Sequence, residues 1–348
     1  MELLHKVVDL CLAAHSSDIH LGTDFYPAIR IDGRIVFLDE FPAVTAAQME
    51  ALTHALLTKE QNKKIRQNTE VDFAFTFEGR ARFRVNVYKE RRGLNLALRY
   101  IPEKIQTMDD LGLPAPLKNL VSNPYGLVLV TGPTGSGKST TVAAMIDYIN
   151  ETKNHHIITI EDPIEYLHKN KKSLIKQRTI GYEGDSASFP NALRAALRED
   201  PDVILVGEMR DRETTALAVT AAETGHLVIS TLHTNNTYQA VNRIIDIFPS
   251  DQQQQIRLQV AQNLVGIIAK RLLPERGGGR TAALEILIGT SAVKTQIREA
   301  KVQGIPNTIK TCRSEGMILL EDSIQELVLK QIIDREVGQR FLMSQASY

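Results

Sequence analysis

Apolar positions recur with two rhythms in this chain, and the change between them marks its organisation. Near the start, Leu3, Leu4, Val7, Val8 and Cys11 fall at helical spacing and predict an amphipathic helix. Short strand-like pieces follow at residues 19–21 and 28–31, the second closed by Asp32-Gly33, a hairpin-turn pair. A helix is predicted near residues 46–57. Phe73, Phe75 and Phe77 then alternate with Asp72, Ala74 and Thr76 up to a turn at Glu78-Gly79. Beyond the turn, Phe83, Val85 and Val87 alternate with Arg82, Arg84 and Asn86, which places the arginines on the face away from the apolar residues. These elements predict a small α+β domain over residues 1–100.

Residues 101–116 carry three prolines and no periodicity, and read as a linker. From there on, continuous apolar runs at 127–131, 157–160, 203–206 and 227–231 alternate with helical patterns such as 191–199 and 213–223. Buried strands separated by helices predict a parallel sheet with right-handed crossovers, the α/β class. Past about residue 290 the pattern is mostly helical, and Gly277-Gly278-Gly279 reads as a hairpin tip. The second predicted domain therefore spans residues 117–348.

The densest chemistry lies directly after the first of these runs. Gly132-Pro133-Thr134-Gly135-Ser136-Gly137-Lys138-Ser139, followed by Thr140, fits G-x-x-x-x-G-K-[ST] between a strand and a helix start. Glycines let the backbone curl so that its N–H groups face phosphate oxygens at the positive end of a helix. Lys138 is expected to reach the β- and γ-phosphates of ATP, and the Ser139 hydroxyl to ligate Mg2+.

Hydrolysis needs acids as well. The run from Asp202 to Glu208 is an apolar strand ending in a carboxylate, with Gly207 at the usual aspartate position of such strands. Glu208 can orient the hydration shell of Mg2+ or the attacking water. Glu161, Asp162 and Glu165 follow the strand at 157–160, where α/β sheets place their ligands, and are candidates for general base or metal support. His226 and His233 bracket the strand at 227–231, too far apart to share a metal; one of them could sense the γ-phosphate or bridge the site to a neighbouring subunit.

Composition narrows the partners. Of 348 residues, 43% are hydrophobic and 24% charged, the balance of a globular protein. Lys+Arg and Asp+Glu each number 41, so no overall basic field argues for nucleic acid. The lysines at 169, 171, 172 and 176 form only a local basic run. Two cysteines, Cys11 and Cys312, argue against a disulfide framework or a zinc module. With no signal-peptide pattern and no apolar run near the roughly 18 residues a bilayer span needs, the expected location is cytoplasmic, with no direct membrane insertion.

Taken together, four blocks carry a resemblance: residues 132–140, 159–165, 194–211 and 225–234, the Walker A, Asp-box, Walker B and His-box segments. In their order and spacing the chain resembles the secretion ATPase superfamily, in particular the PilT-like retraction ATPases of type IV pili. The likeness extends to Ser17-Asp18-Ile19-His20-Leu21 and Ala81-Arg82-Phe83-Arg84-Val85-Asn86. It implies a RecA-like P-loop core with a smaller, PAS-like amino-terminal domain. It also implies Glu165 as general base, Glu208 working with Mg2+, and Arg82, Arg84 and Arg99 approaching the phosphates from the adjoining domain or subunit.

The resemblance further implies a cytoplasmic homohexamer at the inner-membrane base of the pilus, driving pilin removal. Its partners would be an inner-membrane platform protein and a second retraction ATPase. A related secretion, DNA-uptake or pilus-assembly ATPase, or an ATP-gated scaffold with weak hydrolysis, is the alternative. The retraction branch carries a signature resembling Ala-Ile-Arg-Asn-Leu-Ile-Arg-Glu. Here Ala292, Ile297, Arg298 and Glu299 match it, Val293 and Lys294 are conservative, and Thr295 and Gln296 depart.

Overall fold

The computed structural model describes residues 1–67, 70–181 and 184–346. Its chain divides into two compact units, Met1–Lys104 and Ile105–Tyr348. In the first, α1 (Glu2–Ala13), α2 (Ala46–Leu56) and α3 (Lys59–Arg66) accompany six strands. These are β1 (Asp18–Gly22), β2 (Ala28–Ile31), β3 (Arg34–Phe37), β4 (Val71–Phe77), β5 (Ala81–Glu90) and β6 (Gly93–Ile101). They form one sheet in the order β3-β2-β1-β6-β5-β4, every pair antiparallel. Its core joins Leu4, Val7, Val8 and Cys11 of α1 to Ile19, Phe83, Val85, Leu96 and Leu98 of the sheet. The alternation along β5 puts Phe83, Val85 and Val87 inside and leaves Arg82, Arg84 and Asn86 partly exposed.

The second unit is the α/β body. It runs α4 (Pro116–Val121), β7 (Gly126–Thr131), α5 (Lys138–Thr152), β8 (His156–Glu161), β9 (Leu174–Thr179), α6 (Phe189–Ala196) and β10 (Val203–Val206). Next come α7 (Arg212–Glu223), β11 (Leu227–Leu232), α8 (Thr237–Asp246), α9 (Ser250–Asn263), β12 (Leu264–Pro274) and β13 (Arg280–Ile288). Four helices close the chain: α10 (Ser291–Arg298), α11 (Ile305–Thr311), α12 (Leu320–Leu329) and α13 (Arg335–Ala346).

Seven strands form one sheet in the order β13-β12-β7-β11-β10-β8-β9. All neighbours are parallel except the β12–β13 hairpin, whose turn holds Gly277-Gly278-Gly279. Successive side chains of a strand face opposite sides, and here both sides are apolar. Leu127, Leu129, Ile158, Ile160, Ile204, Val206 and Val228 join one core, while Val128, Val130, Ile157, Val203, Leu205 and Ile229 join the other. Helices therefore cover both faces, with α5 residues in one core and α6 to α11 residues in the other. Met108 and Leu113, from the proline-rich stretch expected to be a linker, are buried in the core that holds α4 and α5. Among the described residues no helix is long and apolar enough to cross a membrane.

Candidate active site

The carboxyl ends of β7, β11, β10 and β8, neighbours in that order across the sheet, gather the chemistry. The loop Gly132–Gly137 leaves β7, His233 follows β11, Glu208 follows β10, and Glu161 ends β8. This is the crevice where open α/β sheets bind ligands.

The loop reaches α5 through glycines at left-handed or strongly positive φ: Gly132 at 149°, Gly135 at 76° and Gly137 at 80°. A Cβ on Gly132 would lie 2.4 Å from Lys270 O and 2.6 Å from Ser136 Oγ, so no larger residue fits there. Gly137 caps α5 without a side chain, which leaves the first amides of a 15-residue helix to be met by something else. Ser136 Oγ is buried and has no hydrogen-bond partner among the described residues. Unsatisfied donors at a positive helix end are what a phosphate group takes.

Lys138 is buried in the first turn of α5, its Nζ donating to Gly132 O at 2.9 Å and Pro133 O at 3.1 Å. Its Nζ also lies 3.5 Å from His233 Nδ1. Burial pushes the Lys138 ammonium below its ordinary range, and the Glu208 and Glu165 carboxylates pull it back. Glu208 in turn faces His233 Nε2 at 3.6 Å and Arg210 Nε at 2.6 Å. Burial and the Lys138 charge hold His233 below the ordinary imidazole range, so it is neutral at pH 7. A neutral ring with its proton on Nε2 presents Nδ1 to Lys138 and N–H to Glu208.

Each of these groups is braced from behind. Thr131 Oγ1, at the end of β7, accepts from Thr234 N at 2.9 Å and lies 2.6 Å from Thr234 Oγ1, which anchors the segment carrying His233. Thr231 Oγ1 donates to Gly207 O at 2.6 Å, steadying the residue before Glu208. Gly207 N donates to Ile160 O at 2.8 Å, and a Cβ there would stand 3.0 Å from that oxygen. The close approach of β8 is the physical reason that glycine occupies the usual aspartate position.

The acidic segment after β8 is held by an edge strand. Gln177 of β9 donates from Nε2 to Tyr166 O at 2.8 Å and to Glu161 Oε1 at 3.3 Å, and accepts from His168 N at 2.8 Å. Glu161 also accepts from Thr159 Oγ1 at 2.7 Å; burial nevertheless holds its carboxyl above the ordinary range. The buried Tyr166 places its hydroxyl 2.9 Å from Thr140 Oγ1 on α5. Sequence reasoning did not single out Tyr166 or Gln177, although Tyr166 directly follows Glu165.

The structure does not bring every expected residue together. His226 precedes β11, at the end of the sheet away from the phosphate loop, with Nδ1 3.0 Å from Ala221 O and 3.3 Å from Thr224 Oγ1. It is therefore no part of the cluster around Lys138. Pro133, Thr134 and Gly135 are exposed at the loop tip, and Ser139 is exposed at the start of α5. Arg82, Arg84 and Arg99 belong to the first unit. There Arg84 pairs across strands with Arg99, and Arg99 Nε donates to Asp18 Oδ1 at 2.9 Å. Arg84 Nε also lies 3.9 Å from Asp72 Oδ1. On α10, Gln296 accepts from Thr308 Oγ1 at 3.0 Å, and Thr295 Oγ1 accepts from Arg298 at 3.2 Å. The two departures from the signature thus have local partners.

For a metal, the candidate donors are the Glu208 carboxylate of the cluster and the Ser139 hydroxyl, exposed in the first turn of α5. Such hard oxygen donors, few in number, suit Mg2+, which keeps several waters and phosphate oxygens in its shell. The residues present fit that ion.

Comparison with known proteins agrees with the fold. The family model described as "Type II/IV secretion system protein" matches residues 1–342. The chain is 47% identical over 321 residues to the type IV pilus retraction ATPase PilT of Pseudomonas aeruginosa, covering 92% of both chains. It is 46% identical over 315 residues to a twitching motility protein of Neisseria gonorrhoeae, covering 90% of this chain and 83% of that one. A crystal structure of the pilus retraction motor PilT with bound ADP superposes with a TM-score of 0.86 at 46% identity, covering 96% of this chain and 95% of that one. The chain belongs to the type II/IV secretion system protein family.

Proposed function

We propose that this chain is an ATPase motor that hydrolyses MgATP to power type IV pilus retraction. The observation that carries the chemistry is the convergence of Lys138, His233 and Glu208 beside an α-helix whose amino end has no side-chain cap. The similarity to PilT, a retraction ATPase by name, supplies the physiological context.

In this reading the loop amides, Ser136 Oγ and Lys138 hold the β- and γ-phosphates, and Ser139 and Glu208 hold the metal. Mg2+ bound there would neutralise charge on the phosphate oxygens. Glu165 accepts a proton from water as the water oxygen bonds to the γ-phosphorus. The bond from phosphorus to the bridging oxygen breaks, and its electron pair stays on ADP. Lys138 stays fixed while charge shifts towards that leaving oxygen, so its contribution needs no reorganisation. Neutral His233 links Lys138 to Glu208 and so reports the state of one to the other. Arg82, Arg84 and Arg99 supply positive charge from the amino-terminal, PAS-like domain of the same or an adjacent subunit.

The working form is a cytoplasmic homohexamer at the inner-membrane base of the pilus. It acts on the platform protein there, alongside a second retraction ATPase. Deleting the gene in its host and counting surface pili tests this reading. Excess pili and lost twitching, restored by wild type and not by Lys138→Ala, are expected. Loss of all surface pili would contradict retraction and favour an assembly motor.

A further inference from the structure

Lys270 lies where an apolar residue belongs. It interrupts the run Ile267-Ile268-Ala269 to Leu272-Leu273 on β12, and only 3% of its surface is exposed. Its neighbour Ala269 pairs with Thr131, so Lys270 stands beside the point where β7 becomes the phosphate loop. Nζ donates to Thr141 Oγ1 at 2.8 Å and to Gly137 O at 3.4 Å. The loop closes tightly around this side chain, since a Cβ on Gly137 would lie 3.1 Å from Nζ.

Among the described residues the surroundings supply no counter-charge. On β13 the residue paired with Lys270 is Leu284. The neighbouring Arg271 and Glu285 serve other partners: Arg271 reaches Asn235 O and the Phe341 ring, and Glu285 accepts from Thr237. On α5 the Lys138 ammonium bonds Gly132 O, and the Asp147 carboxylate bonds Lys171. Among the described residues no carboxylate pairs with Lys270. Burial alone pushes its pKa down to about 8. A buried ammonium with only neutral acceptors is electrostatically incomplete, and an anion above the loop completes it.

We infer that Lys270 is a positioning residue for the nucleotide, bracing the phosphate loop from beneath and taking up a proton when a polyphosphate binds above it. The inference rests on the nucleotide reading given above. It adds a second cation to the site, bonded at the helix end of the loop to Gly137 and Thr141, where Lys138 bonds Gly132 and Pro133 at the strand end. Since Lys270 is charged below about pH 8 and neutral above, affinity should be full at pH 7 and decline through pH 8.

The test is ADP binding by titration calorimetry between pH 7 and pH 9, in buffers of different ionisation enthalpy. Wild type should lose about tenfold in affinity across that range and show net proton uptake near pH 8. Lys270→Gln, which keeps a hydrogen bond to Thr141, should bind weakly at pH 7 and show neither slope nor uptake. Lys270→Arg, charged throughout, should hold its affinity at pH 9. Should Lys270→Gln fail to fold, the wild-type proton uptake and the flat Lys270→Arg profile still decide the matter. A slope and uptake that persist in Lys270→Gln would assign the titration to Lys138 and overturn the inference, as would a flat wild-type profile with ADP bound. No ADP binding by wild type at any pH would overturn the nucleotide reading itself.

Discussion

The hydroxyl of Tyr166 lies 2.9 Å from that of Thr140, which ties the residue after Glu165 to the residue after Ser139. The acidic segment and the phosphate loop are thus joined by one hydrogen bond as well as by the sheet. Removing it should loosen Glu165 relative to the nucleotide without touching either directly. Tyr166→Phe is expected to lower kcat by about 5- to 10-fold, the value of one net hydrogen bond, with KM little changed. Steady-state kinetics check this; a rise in KM at constant kcat would show instead that the bond serves binding.

Gly207 is fixed by space rather than by flexibility. A Cβ there would lie 3.0 Å from Ile160 O and 3.3 Å from Glu161 Cα, so any side chain must push β8 away. Gly207→Asp is expected to destabilise the fold by about 1–3 kcal/mol and to lower turnover, although it installs the acid usual at this position. Thermal melting and phosphate release measure the two effects. A variant as stable as wild type and more active would refute the spatial explanation.

His168 should make stability depend on pH. Its side chain is 3% exposed, with Nδ1 3.9 Å from Asp147 Oδ1, and burial lowers its pKa from 6.5 to about 4. The unfolded chain therefore takes up a proton that the folded one refuses. The stability present above pH 6.5 is lost as pH falls towards 4, by about 2 kcal/mol at pH 5. Glu161 and Glu285, whose carboxyls are raised by burial, act in the opposite direction. Urea unfolding of wild type and His168→Gln at pH 7.5 and pH 5 isolates the histidine. Wild type should lose more stability than the variant, and equal losses would contradict the assignment.

Much of the second unit was legible because β7, β8, β10 and β11 are apolar on both faces. Such strands stand out as continuous runs. The edge strand β9, Leu174–Thr179, carries Lys176, Gln177 and Arg178 and has no such signature. Its role in holding the acidic segment through Gln177 was equally hidden. Helix α3 escaped notice because only Gln61 and Ile65 are buried along it, too few for a period. The phosphate loop was readable residue by residue, since its glycines answer to the positive φ of the turn, with close packing added at Gly132. The histidines were less so, because spacing placed them at opposite ends of a strand without giving their partners, Lys138 and Glu208 for His233 and Ala221 O for His226. A lysine inside the apolar run of β12 was the available sign of Lys270, and only the packed sheet shows where its ammonium goes.

The central claim is that Glu165 prepares water at a site where Lys138 holds the phosphates. Mg2+-dependent phosphate release by the purified protein, with Glu165→Gln and Lys138→Ala alongside and ATP binding measured for each, tests it most directly. Wild type is expected to turn over, Glu165→Gln to lose at least about 100-fold in turnover with ATP binding retained, and Lys138→Ala to lose both. A Glu165→Gln variant that turns over at the wild-type rate, or a wild type that binds ATP and releases no phosphate, would contradict it.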